Sequence, residues 1–321
     1  MKAWNRMFFV LVVCCATSPA VAQTYPAKPI TMIVPFAPGG TNDLVGRPLA
    51  QKLTEALGKP VVVENRGGAG GTIGTARAAG AAPDGYTLLI GSAGPLGTAP
   101  GYYKNLPYDA VKDLAPISRV MTSPIILIVN PVVPARSVKD LIQIAKSMPK
   151  QLNFGSPGTG SMVHLAGELF NQMANVQLVH IPYKGSGPAV VDLIAGRLDL
   201  MFAPIPPTLP HVKAGKLRAI AVSSQKRFSV FPDLPTIGEA GVPGYDVGQW
   251  WGILAPAKTP EPIISKLHAA VVKILDSREI KGLYTGLGGE PASSSPDQFS
   301  AFIRSEVSKW TKAITAAGIA Q

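Results

Sequence analysis

The sequence predicts an α/β protein in which parallel strands are covered by helices on both faces. From Ile30 onward, short runs rich in β-branched residues alternate with amphipathic segments of helix length, the pattern that builds such sheets. Glycine, proline and hydroxyl residues recur where those runs end, as strand-to-helix connections require. The 321 residues, rich in Val, Ile and Leu, fill one large domain or two medium ones with enough apolar area for a core.

Strands are expected at 30–36 (ITMIVPF), 60–66 (PVVVENR), 87–92 (TLLIGS), 124–130 (PIILIVN) and 151–156 (QLNFGS). Four more follow at 176–183 (VQLVHIPY), 198–204 (LDLMFAP), 217–224 (LRAIAVSS) and 250–256 (WWGILAP). Thr41 is expected to cap a helix with Leu49, Leu53 and Leu57 on one face, closed by Gly58. Ser161 or Thr159 opens another with Leu165, Leu169 and Met173 aligned. Thr259-Pro260 and Ser295-Pro296 are cap-plus-first-residue pairs that start two long helices near the end. There is no internal repeat and no low-complexity linker.

Ahead of the first strand, Lys2 and Arg6 precede the ten-residue apolar run Met7–Ala16, followed by Ala20 and Ala22. This is the pattern of a secretory signal peptide over 1–22, with a mature chain beginning at Gln23 and a secreted location, which the family resemblance given below makes periplasmic. The run falls short of the roughly 20 apolar residues that span a bilayer. A lipoprotein reading at Cys14 or Cys15 meets Val13 or Cys14 where a small residue is usual. Both cysteines lie in the leader, so the mature chain has none for disulfides, thiolate nucleophiles or metal sites. The net charge is +11, or +9 without Lys2 and Arg6, yet Lys226-Arg227 is the only adjacent basic pair. The surplus reads as scattered solvation rather than a nucleic-acid footprint.

The loops APGGT, RGGAGGT, AGPLGT, GSPGTGS, KGSGP and PIPPT sit where strands end. In an open parallel sheet those carboxyl ends face the crevice in which ligands bind. Val34–Leu44 (VPFAPGGTNDL) is either a tight strand-to-helix turn or an anion seat, with Gly39-Gly40 admitting a ligand to unpaired N–H groups at a helix start. Residues 153–170 (NFGSPGTGSMVHLAGELF) repeat that design, so two helix starts can oppose one another. Each favours a carboxylate by roughly 0.3–1 kcal/mol. His164 either touches ligand or packs its helix, and Lys184 either supplies charge or is a solvated loop residue. Asp43 is a helix-start acid or the partner of a ligand ammonium, and Trp250-Trp251 wall a pocket or fill the core.

Catalytic signatures are missing. No G-x-G-x-x-G occurs, GGAGGT has no following Lys, no serine sits in G-x-S-x-G, and His164, His180, His211 and His268 lack metal spacing. The 19 carboxylates show no acid/base couple, so no catalytic residue, metal or cofactor is indicated.

Collinear blocks across the mature chain resemble the extracytoplasmic solute receptors of tripartite tricarboxylate transporters, the Bug-type proteins. They include YPAKPITMIVPFAPGGTNDL, KPVVVENRGGAGGTIG, AAPDGYTLLIG, NFGSPGTGSMVHLAGELF, VHIPYKGSGPAVVDLIAGRLDLMF and LPHVKAGKLRAIAVSS. The resemblance implies a type II periplasmic-binding-protein fold, with two parallel-rich lobes joined by crossover strands near Ser118–Pro124 and Ala221–Lys226. Lobe one would hold 23–122 and 225–321, and lobe two 123–224. It further implies a monomer that captures a small organic carboxylate (a di- or tricarboxylate, an aromatic acid or an acidic amino acid) and delivers it to a permease of one large and one small membrane subunit. Carried over, the ligand seats are Phe36, Gly39, Gly40, Thr41, Asn42, Asp43, the Ser92-Ala93 turn, Ser156, Thr159, Gly160, Ser161 and His164. Ala203-Pro204, Gln249-Trp250 and Pro95-Leu96 depart from common family choices, which makes Ala203, Pro204 and Trp250 specificity positions. The same clamp could serve a sensing subunit, and the third reading is a secreted enzyme on this scaffold.

Overall fold

The computed structural model describes residues 25–229, 231–318 and 320. The expected leader and its cleavage site lie outside the described residues. Strand β1 (Ile30–Val34) leads to α1 (Thr41–Leu57), β2 (Val61–Asn65), α2 (Thr72–Ala79) and β3 (Thr87–Ser92). A π-helical turn, Gly94–Thr98, runs into the short α3 (Ala99–Tyr102) and then the 16-residue β4 (Leu114–Val129). Next come α4 (Val138–Ser147), β5 (Asn153–Ser156), α5 (Met162–Ala174), β6 (Val179–Pro182) and α6 (Ser186–Ile194). β7 (Leu200–Pro204), α7 (Ile205–Lys213), β8 (Arg218–Val222) and β9 (Gly248–Pro256) follow. The chain closes with α8 (Glu261–Asp276), α9 (Arg278–Gly286), β10 (Glu290–Pro291) and α10 (Pro296–Ala317).

Two groups of strands share β4. One runs β2-β1-β3-β9-β4 with β10 on β4; the other runs β4-β7-β5-β6 with β8 on β4. On each flank the strands are parallel, β1 with β2 and β3, and β5 with β6 and β7. The central strands are not, since β9 is antiparallel to β3 and β4, and β4 to β7 and β8. The expected parallel architecture therefore holds outside a mixed centre. β4 belongs to both groups: Leu114–Pro124 pair with β9, and Ile125–Val129 with β7. The strand read at 124–130 is its second half. The first half carries Pro116, Ser118, Arg119, Thr122 and Ser123 and twice slips register against β9, which hid it from a search for apolar runs.

Ser223 ties the crossing together. Its N–H donates to the Ile125 carbonyl (2.8 Å) and its Oγ accepts from the Ile125 N–H (2.8 Å). Its hydroxyl donates to the Val247 carbonyl (2.5 Å), and its own carbonyl accepts from the Val247 N–H (3.0 Å). Between these points the chain stays with the second group: Ile237 N–H donates to the Val222 carbonyl (2.8 Å), and Tyr245, packed near Phe170 and Phe202, donates to the Ala166 carbonyl (2.8 Å). The chain next pairs with the first group at Gly248, where β9 begins opposite Pro124; the resemblance set that return near 224.

Helix punctuation is close to expectation. Gly58 ends α1 in the left-handed region (φ 69°), Ser161 accepts from the His164 N–H, and Ser295 forms a reciprocal cap with Gln298. α1 is capped by Gly40, and Thr41 is its first helical residue; α8 is likewise capped by Pro260 rather than Thr259. Alternation along β3 sends Leu88 and Ile90 to the α1/α8 side with Leu49, Leu53 and Leu267, and Leu89 to the opposite core with Phe299 and Trp310. The sheet of the first half is therefore covered on both faces, and its loops are left free at the strand ends.

Candidate functional site

The loops after β1, β3, β5, β6 and β7 converge where the two halves meet. They enclose a cavity of ≈ 20 Å³, a single water's worth of room. The first half contributes Phe36, Thr41, Asn42, Ser92 and Gly94, with Gln249 and Trp251 from β9. The second contributes Pro157, Ser161, Met162, Ser186 and Pro204. None of these side chains carries a charge.

Helix starts make up for that. Thr41, Gly94, Met162 and Ser186 are the first residues of α1, the π-helical turn, α5 and α6, and all four line the cavity. Each start directs unpaired N–H groups and a partial positive charge inward. Among the described residues the N–H groups of Asn42 and Met162 have no acceptor, and the buried Thr41 Oγ1 has no partner. A buried hydroxyl without a partner is costly, and a ligand oxygen would satisfy it.

Behind this lining, side chains hold the loops still. Asn42 bridges strands, donating to the Ile90 carbonyl (3.1 Å) and accepting from Trp251 Nε1 (3.1 Å). Asp43 turns away from the cavity and accepts from Arg47 Nη2 (2.5 Å), Asn65 Nδ2 (3.0 Å) and the Gly39 N–H (3.1 Å). Burial pushes its pKa up, but those hydrogen bonds outweigh burial and hold it below the usual carboxylate value. Asp43 thereby fixes the turn at Gly39, whose φ of 76° suits glycine. Gly39 is exposed, whereas Gly40 is buried with a φ of −79°. A side chain at Gly40 would meet the Ala37 carbonyl and Ser186 Oγ at 3.3 Å.

The opposite loop is braced more heavily. Ser156 is fully buried; its Oγ accepts from the Gly158 N–H (3.0 Å) and sits 2.6 Å from His180 Nε2. His164 Nδ1 accepts from the Gly160 N–H (3.2 Å), and its ring stacks on His180 with centroids 3.9 Å apart. Burial, with His180 adding to it, lowers the His164 pKa to about 3, and burial lowers His180 to about 4, so both imidazoles are neutral near pH 7. Ser156, Thr159, Gly160 and His164 therefore support the cavity from behind and do not line it. Ser156 and His180 resemble a nucleophile and base, but both belong to the loop's own bracing.

Of the residues singled out from the sequence, the cavity brings together Phe36, Thr41, Asn42, Ser92, Ser161 and Pro204. Ala93 is buried beside it, and Ala203 lies within β7 opposite Ile126. Trp250 points to the far face, donating to Glu306 Oε2 (3.0 Å) and packing on Phe299 and Phe302. Trp251 faces the cleft instead. Since Gln249 and Trp251 share a face of β9, counting by two would have chosen it. Ser186 was also within reach, because KGSGP is a glycine-hydroxyl loop at a helix start like the other two. Gly94 and Pro157 fall in the loops AGPLGT and GSPGTGS and Met162 follows the second, but nothing in those stretches set the three apart from their neighbours.

A two-lobed α/β clamp whose helix starts surround an uncharged chamber is the architecture of a solute-binding receptor. Residues 45–319 match the family model of the tripartite tricarboxylate transporter family receptor, and the chain belongs to that family. It is 39% identical to Protein BugT of Bordetella pertussis over 98% of both chains. An R. palustris protein solved with adipate is 37% identical, with a TM-score of 0.89 over 92% of this chain and 99% of that one. MatC from Rhodopseudomonas palustris with bound malate is 34% identical, with a TM-score of 0.87 over 90% and 100%.

Proposed function

We propose that this chain is a periplasmic receptor that encloses a small organic carboxylate and presents it to a permease of one large and one small integral subunit. The observation that carries the reading is the convergence of four helix starts, with the unpartnered Thr41 hydroxyl, on a chamber without a charged side chain. The lining suits a carboxylate, because N–H groups and helix dipoles stabilise it without a counter-ion, and the halves must part to make room for it, since the closed chamber holds about one water. The relatives solved with adipate and malate support the class. Phe36, Pro157, Met162, Pro204 and Trp251 would pack the ligand's carbon skeleton, and Gln249 would read a polar group on it.

The receptor acts without chemistry, as a monomer. Its lobes are 23–122 with the C-terminal region, and the stretch from 123; the contacts of Ile237 and Tyr245 favour moving the second boundary from 224 to 247. The leader is removed after Ala22, so mass spectrometry of the exported protein should give an N-terminus at Gln23. Calorimetry against a panel of organic acids tests the reading. At least one acid should bind saturably and its neutral amide much more weakly, and the acid at 100 times its Kd should raise stability by about 2.7 kcal/mol. Equal binding of acid and amide, or no binding across the panel, would sink it.

A further inference from the structure

The two halves also touch through groups that do not line the chamber. Tyr103 OH donates to the Thr159 carbonyl (2.7 Å), and the Ala37 N–H donates to the Lys184 carbonyl (3.1 Å). Thr98 Oγ1 lies 2.8 Å from the Gly160 carbonyl and 2.9 Å from that of Gly94. Close by, the backbones of Gly70 and Gly158 meet: a side chain on Gly158 would lie 2.6 Å from the Gly70 nitrogen, and one on Gly70 would run into the Thr159 carbonyl. Their φ values of 62° and 135° also suit glycine.

From this seam, and resting on the receptor reading above, we propose that Thr98 and Tyr103 form a closure latch, positioning residues that set how long a ligand is held without touching it. Thr98 has one hydroxyl proton and two acceptors. In the closed clamp it serves Gly160 across the seam, and when the halves part it falls back on Gly94 within its own turn. Opening therefore never orphans a buried donor. The half-buried Tyr103 hydroxyl exchanges Thr159 for water in the same movement. Closure then has stability of its own, and ligand shifts an equilibrium that already exists.

The mature chain lacks cysteine, so spin labels at Lys59→Cys and Lys146→Cys report the separation of the halves cleanly. In the protein without added acid, Tyr103→Phe and Thr98→Val should each move the distance distribution outward, whereas Thr98→Ser should keep the parent distribution. With adipate as probe, stopped-flow should give dissociation about threefold to tenfold faster in the first two variants, with association unchanged. Parent-like distances in both Tyr103→Phe and Thr98→Val overturn the latch. If adipate does not bind the parent, the choice of that acid fails and the distance distributions alone decide the latch.

Discussion

The loops that open α1 and α5 look alike in sequence, each a strand, a glycine-hydroxyl turn and a helix start, but they are finished in different ways. α5 begins with Ser161 accepting from the His164 N–H; His164 also accepts from the Gly160 N–H, and His180 of β6 contacts both Ser156 and the His164 ring. α1 begins with glycine and no side-chain cap, and its first hydroxyl, Thr41 Oγ1, is left without a partner. The serine cap takes up one donor of its helix, the His164 N–H, and leaves the Met162 N–H free, whereas the glycine cap takes up none with a side chain and is followed by an unsatisfied hydroxyl. One loop is thus a rigid wall and the other an unsatisfied seat.

Acid should separate the two most strongly. The α5 side holds two histidines with depressed pKa values, His164 buried and His180 half-buried, and the α1 side holds none in its loop. The unfolded chain takes up their protons below about pH 6.5 while the folded chain refuses them until about pH 3 to 4. Their contribution to stability is complete above 6.5 and is lost as pH falls, at about 1.4 kcal/mol per pH unit for each histidine. Glu168, raised by burial, offsets part of the loss. Urea midpoints at pH 7 and pH 5, for the parent and for His180→Asn, measure this, and a midpoint indifferent to pH would remove the wall's chemical basis.

Next in size is Gly40→Val. Its φ is ordinary, so the effect comes from the added carbons near the Ala37 carbonyl and Ser186 Oγ, which would prop the halves apart. Affinity should fall about 50-fold while the circular-dichroism spectrum persists. Thr41→Val should weaken binding about tenfold yet leave the melting temperature unchanged or higher, because it removes a buried hydroxyl that has no partner. Ser156→Ala should do the reverse, lowering stability by about 1–2 kcal/mol with a smaller change in affinity than Thr41→Val. If Ser156→Ala proves the worse binder of the two, the contrast between wall and seat is misdrawn. The smallest change belongs to Arg47→Ala: its side chain is 54% exposed, so losing the pair with Asp43 should cost about 0.5 kcal/mol and leave calorimetric affinity within twofold.

Strands with apolar runs and helices with hydroxyl or glycine ends were legible because local physics decides them; β1, β3, β5, Gly58 and Ser295 are examples. The polar first half of β4 was not, since only pairing with β9 makes it a strand. The loops of the site could be read as a class, but the sequence could not say which hydroxyl faces inward. Ser156 and Thr41 are equally polar on paper, and what separates them is His180, brought to Ser156 by the β5/β6 register that sets Phe154 opposite His180. Trp250 and Trp251 differ only by the direction in which alternation starts, which Gln249 fixes at the crossing.

The place of β9 has a consequence for how the molecule is made. It lies between β3 and β4, yet it begins only at Gly248, so the ribosome finishes both neighbours long before the strand that joins them. Until then β3 and β4 have no common partner, and the first half cannot close its sheet at any length of nascent chain short of that strand. The contacts that complete it span well over a hundred residues, the kind that form slowly.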